Sequence, residues 1–177
     1  MKVSDSEGKL VYYVKQKLFK LKESVVVYSD ENQNKELYKI NADRIIDFSA
    51  SYFFTNAKGD RLGSVRRSGM KSIWKAHYTI LDKSDSAIMT IREENPWIKV
   101  ADALLGEIPI LGILMGYLFH PSYIVTLDDG KKIFRLKKRP SFFERSFLIE
   151  KISDYNSNEE ILLLGLMMLI LLERSRG

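Results

Sequence analysis

The feature that most constrains this sequence is its apolar tail. Ile161 to Leu172 reads ILLLGLMMLILL, twelve residues without one polar side chain. Ser157 with Glu160 three positions later forms a capping box and marks a helix start. Glu159 and Glu160 in the first turn, and Arg174 and Arg176 at the end, complement the helix dipole. A helix that is apolar on every face must be enclosed by protein or by lipid. Twelve residues cover about 18 Å, whereas a bilayer core needs about 30 Å. Enclosure by protein is therefore the expectation. Such a helix is about 10 Å across, so a barrel of about ten to twelve strands is needed to surround it.

The rest of the chain supplies strands. Short β-rich runs alternate with turn chemistry, and they predict strands at Leu10–Lys20, Ser24–Ser29, Glu36–Ile40, Ile45–Thr55, Arg61–Arg67, Lys71–Leu81 and Ala87–Arg92. A second block follows at Ser122–Leu127, Lys131–Leu136 and Phe142–Lys151. Clusters such as Asp30-Glu31-Asn32-Gln33-Asn34, Asn56-Ala57-Lys58-Gly59-Asp60 and Asp128-Asp129-Gly130 reverse the chain, because Asn, Asp and Gly tolerate positive φ or cap their own backbone. Val25-Val26-Val27-Tyr28 is apolar on both faces and should lie where both are covered. These ten runs at short spacing are the pattern of a sandwich or barrel.

One segment interrupts that pattern. Trp97, Val100, Ala101, Leu104 and Leu105 fall at helical spacing, with Lys99, Asp102 and Glu107 opposite. Pro109 breaks the helix, Ile110–Phe119 is apolar all round, and Pro121 closes it. Two short helices at about 97–119 are expected. Trp97, Leu104, Leu105, Ile110, Leu111, Leu114 and Tyr117 are the candidate contact residues. They could pack as a lid on the barrel, lie in a membrane interface where Trp97 and Tyr117 prefer the head-group level, or form a homodimer contact through Gly112 and Gly116.

The order of short motifs resembles the tubby C-terminal-like superfamily, in particular its LURP-one-related and phospholipid scramblase branches. The resemblance rests on Tyr13-Val14-Lys15-Gln16-Lys17-Leu18-Phe19, Val25-Val26-Val27-Tyr28-Ser29-Asp30-Glu31-Asn32 and the hairpin Phe54 to Leu62. Ile73-Trp74-Lys75-Ala76-His77-Tyr78, Ala87-Ile88-Met89-Thr90-Ile91-Arg92 and the terminal apolar helix complete it. It implies a mainly β fold, a twelve-stranded antiparallel closed barrel around the C-terminal helix, and a bacterial-type member carrying the 97–119 insertion. One domain would then span 1–177: strands in 10–95, the insertion in 96–121, strands in 122–152 and the central helix in 157–174. It also implies association with membrane phospholipid. The cysteine cluster that is lipid-modified in scramblases is missing here.

Composition narrows the chemistry. No cysteine is present, which excludes disulfides, thiolate metal sites and cysteine nucleophiles, and fits a cytoplasmic protein. The first ten residues lack the apolar core of a signal peptide. His77 and His120, the two histidines, have no nucleophile or carboxylate partner at recognisable spacing and read as packing or capping residues. Gly59-Asp60-Arg61-Leu62-Gly63 sits in a hairpin and lacks the third glycine of a phosphate loop. A non-catalytic binding module without cofactor or metal is the expectation.

A net charge of +5 favours anionic partners without choosing one. The basic residues concentrate at Lys131, Lys132, Arg135, Lys137, Lys138 and Arg139, six in nine positions, interleaved with Ile133, Phe134 and Leu136. That run reads either as a solvated outer wall or as a patch for anionic phospholipid at the inner face of a membrane. Arg66, Arg67, Lys71 and Lys75 would extend it if their strands adjoin. Aromatic interleaving of the nucleic-acid kind is thin, which ranks nucleic acid low.

Overall fold

A computed structural model describes residues 1–18, 23–43, 50–67, 77–94, 122–139, 146–156 and 159–175. Among the described residues eleven strands and one helix follow each other along the chain. They are β1 (Lys2–Ser4), β2 (Leu10–Leu18), β3 (Glu23–Tyr28), β4 (Glu36–Ala42), β5 (Ser51–Asn56), β6 (Arg61–Arg67), β7 (His77–Asp82), β8 (Ala87–Glu93), β9 (Ser122–Leu127), β10 (Lys132–Arg139), β11 (Ser146–Lys151) and α1 (Glu159–Ser175). All strands belong to one antiparallel sheet, and their order in space is their order in sequence.

Turn residues explain why each strand returns beside its predecessor. Asn56 Oδ1 accepts hydrogen bonds from the backbone N–H groups of Lys58 and Asp60, both within 3.0 Å. Asp82 Oδ1 does the same for Ser84 and Ser86, and Asp5 Oδ1 for Glu7 and Lys9. Side-chain acceptors of this kind satisfy the donors that a tight reversal leaves over. These turns, with 29–35 and 128–131, gather at one end of the sheet. The strand ends that these turns do not join lie at the opposite end of the sheet.

Register places one inner face all along the sheet. Val25 faces Ile40, Ile40 faces Phe54, Tyr52 faces Val65, Val65 faces Ile80 and Ile80 faces Met89. Ile91 faces Val125 and Tyr123 faces Leu136. All of these are buried and join α1 in one core cluster. From Ile161 to Leu171 every helical residue is buried except Leu163, which is partly exposed. The expectation that protein encloses the apolar tail therefore holds. At seventeen residues α1 is about 26 Å long, short of the bilayer's apolar thickness. No helix among the described residues is long and apolar enough to cross a membrane.

Val26 is buried on the outer side of β3, between Lys15 of β2 and Lys39 of β4. Lysine stems are apolar enough to cover such a neighbour. That is how the valine run acquires two covered faces.

Two glycines set where the helix sits. A Cβ on Gly165 would lie 2.8 Å from Ile80 Cδ1, and one on Gly63 would lie 2.4 Å from the Leu81 carbonyl oxygen and 3.4 Å from Ile161 Cγ2. Without those side chains α1 seats closely against β6 and β7.

The closed twelve-stranded barrel needs correction. Among the described residues eleven strands form an open sheet with β1 and β11 as its edges, and no pairing joins them. The reason is directional. In an antiparallel series of odd number the first and last strands run the same way, so closure would require a parallel pair at that one position. In addition, β1 is only three residues long and offers little edge to pair with.

Candidate binding surface

The basic run spans the turn before β10 and all of β10, which pairs with β9 on one side and β11 on the other. Its charges divide into two sets. Arg135 bonds Glu94 at 2.8 Å, and Lys137 bonds Glu150 at 2.9 Å. The Lys131 ammonium donates to the Asp154 carbonyl. Lys132, Lys138 and Arg139 make no ion pair among the described residues, and Lys132 and Arg139 are exposed. Half of the run thus ties strands and the segment before α1 together; of the rest, Lys132 and Arg139 are exposed, while Lys138 is half-buried and shares the alternation of Leu136.

Partial burial pulls the Glu94 carboxyl upward, but hydrogen bonds from Arg135 and from Ser122 outweigh it and hold the group below its usual range. A depressed carboxylate favours folding above its ordinary titration range, and the contribution disappears as pH falls through the lowered value. Arg135→Met should move the Glu94 titration upward, read by carboxyl NMR. An unchanged titration would mean the pair does not form in solution.

The suggested extension of the patch does not assemble. β6, which carries Arg66 and Arg67, is separated from β10 by β7, β8 and β9. Arg66 donates to Ser51 Oγ at 3.2 Å, and Arg67 is buried. Lys71 and Lys75 lie outside the described residues. So do Trp97, Leu104, Leu105, Ile110, Leu111, Leu114 and Tyr117, along with His120 and the capping residue Ser157. His77 lies on β7 beside Arg92 of β8, whose Nε approaches His77 Nε2 at 3.4 Å. Burial and then the Arg92 charge lower its pKa, leaving a neutral ring that accepts this contact.

Sequence reasoning missed a polar collar inside the sheet around the last turn of α1. Arg67, Tyr78, Glu93 and Tyr123 are buried there on β6 to β9, and Glu173 comes from α1. Burial first, then the Glu173 charge, pushes the phenols of Tyr78 and Tyr123 well above their usual range, so both stay neutral. The signal was available: Arg67 continues the inward alternation of Gly63 and Val65, and Glu93 that of Met89 and Ile91. The collar lets the helix end change from apolar to charged while still inside the sheet. Among the described residues no group of His, Cys, Asp and Glu could hold a metal ion.

The sequence pattern of the LURP-one-related family matches residues 10–107, more than half of the chain. This is a LURP-one-related protein. The matched stretch covers β2 to β8 and continues into 95–107. The LURP-one-related family is tied to the tubby-like superfamily, so the resemblance drawn from short motifs is met by a family match. No curated protein and no solved structure matches the chain.

Proposed function

We propose that this LURP-one-related protein is a non-catalytic binding module that docks on anionic phospholipid surfaces. The basic strand β10 supplies the charge, and the apolar segment 97–119 supplies the membrane contact. The observation that carries this reading is the triplet Lys132, Lys138 and Arg139, which forms no ion pair among the described residues. Each such cation near an anionic surface is worth about 1 kcal/mol. The family is consistent with a binding module in place of an enzyme.

Vesicle co-sedimentation tests it. Replacing Lys132, Lys138 and Arg139 by Gln together is expected to weaken binding to phosphatidylserine vesicles by about tenfold or more. Replacing the already paired Arg135 and Lys137 should do less. Equal pelleting with neutral and anionic vesicles would sink the electrostatic part, and retained binding after deletion of 97–119 would sink the apolar part.

A second reading has one observation behind it. The ion pairs of Arg135 and Lys137 show that part of the basic run serves the sheet itself. On that reading the protein is an interaction scaffold whose 97–119 segment packs on the sheet or on a second copy. Indifference to every vesicle, with a defined oligomer in light scattering, would favour it.

A further inference from the structure

The open side of the sheet is a shaped groove. A cavity of about 940 Å³ lies between the two edges, lined by residues 1–6 on one side and Ser146, Phe147, Leu148 and Ile149 on the other. Its floor is α1, through Leu163, Met167 and Ile170, with Arg174 at one end. Those four positions recur at intervals of four, three and four, so they share one helix face. Gly165 points the opposite way, toward Ile80 of β7. The glycine contacts that draw α1 against β6 and β7 are therefore what leaves room on the far side. Leu163, the one partly exposed residue between Ile161 and Leu171, faces that room.

We propose that this groove binds an extended peptide segment of a partner protein, which enters as an additional strand between β1 and β11. Three observations select a peptide. First, β1 and β11 run in the same direction, so a single strand between them can run antiparallel to both and complete the pairing on each side. Second, both walls are sheet edges, with a strand neighbour on one side only among the described residues. An edge presents N–H and C=O groups that a polypeptide backbone can pair and a hydrocarbon chain cannot. Third, the floor is apolar, and each wall offers backbone polar groups beside apolar side chains such as Val3, Phe147 and Ile149. This matches a strand whose alternate side chains point down onto Leu163, Met167 and Ile170 and up into solvent.

Dimensions and charge refine the occupant. Ser146 to Ile149 is four residues of edge, about 13 Å, so a segment of roughly four to six residues fills it. Arg174 lies at one end, and Lys138 and Arg139 pair directly with Phe147 and Ser146 of the wall. An acidic residue at that end of the segment suits this surrounding. The acidic preference shares Lys138 and Arg139 with the proposed vesicle surface, whereas the strand pairing and the apolar floor do not depend on vesicle binding.

Panning a displayed library of random decapeptides on the whole chain tests it. Enriched sequences should be free of proline, apolar at every second position and acidic toward one end. N-methylation of alternate amides in a synthetic copy should weaken binding by about tenfold or more, because each methyl removes a ladder hydrogen bond. Leu163→Lys should also abolish binding, provided its circular dichroism matches the parent. Hydrogen exchange on the unmodified chain avoids that proviso: the peptide should protect amides of Val3, Ser4 and Phe147 to Ile149. No enrichment of period-two sequences, indifference to N-methylation or protection elsewhere would each overturn the proposal. Displacement of the peptide by a fluorescent fatty acid, combined with indifference to N-methylation, would make the groove an acyl-chain site instead.

Discussion

Leu164→Asp is expected to leave little folded protein. Leu164 is 1 % exposed and lies at mid-helix among Leu162, Leu166 and Met168, all buried. An aspartate there either ionises in an apolar interior or takes up a proton to stay neutral, and both states lose the leucine's packing. Leucine truncation alone costs about 2–5 kcal/mol in a core, and an unpaired buried polar group adds about 1–3 kcal/mol. Since domains are stable by about 5–15 kcal/mol, the sum takes much or all of the reserve. Circular dichroism and thermal melting read the outcome. A variant that melts like the parent would show that the helix is not enclosed in solution. The opposite effect is expected at Leu163, which lines the groove: a polar residue there should be tolerated far better.

The second large effect is expected at Gly63. Its missing side chain is replaced in space by the Leu81 carbonyl at 2.4 Å, a backbone atom within the β6–β7 ladder. Gly63→Ala must therefore push two paired strands apart, and overpacking of this kind costs about 1–3 kcal/mol. For a chain of this size the melting temperature should fall by about 2–12 °C. Gly165→Ala is the informative contrast. There the obstruction is Ile80 Cδ1, the end of a side chain that can turn away. Alanine also gains up to about 1 kcal/mol of helix propensity over glycine. Gly165→Ala should accordingly change stability by less than about 1 kcal/mol. Equal losses for the two variants would show that helix seating, and not the strand ladder, dominates both.

Much of the wall was legible in the sequence because strands and turns leave local marks. The bounds expected for Arg61–Arg67 and Ser122–Leu127 match the strands, since the turn residues Asn56–Asp60 stop the first on one side and Asp128-Asp129-Gly130 stop the second. The enclosed helix was legible from the absence of any polar residue and from its length. Other features depend on partners that no local pattern reveals. β1 is three residues with Asp5 and Ser6 behind it, so it reads as loop, and pairing with β2 alone makes it a strand. β10 was expected to end at Leu136, yet it runs through Lys137, Lys138 and Arg139. Their backbones pair with β11, and the Lys137–Glu150 ion pair spans the same two strands. The open side was not legible either, because it follows from an odd strand count that one short strand decides. For the candidate surface, the basic run was plain in the sequence, whereas its division into paired and unpaired charges needed the positions of Glu94 and Glu150.

The sequential strand order bears on how this chain folds as well as what it folds into. Every strand finds its partner within its neighbouring hairpin or loop, so the wall can grow step by step with little loop-closure cost, most of all across the short turns at one end. The helix that fills the wall comes after all eleven strands in chain order. During synthesis the inner face from Val14 to Leu136 is thus translated before the segment that covers it, leaving a water-facing apolar trough until α1 docks. A nascent chain stalled short of Glu159 should therefore be the form most prone to aggregate and most dependent on chaperones.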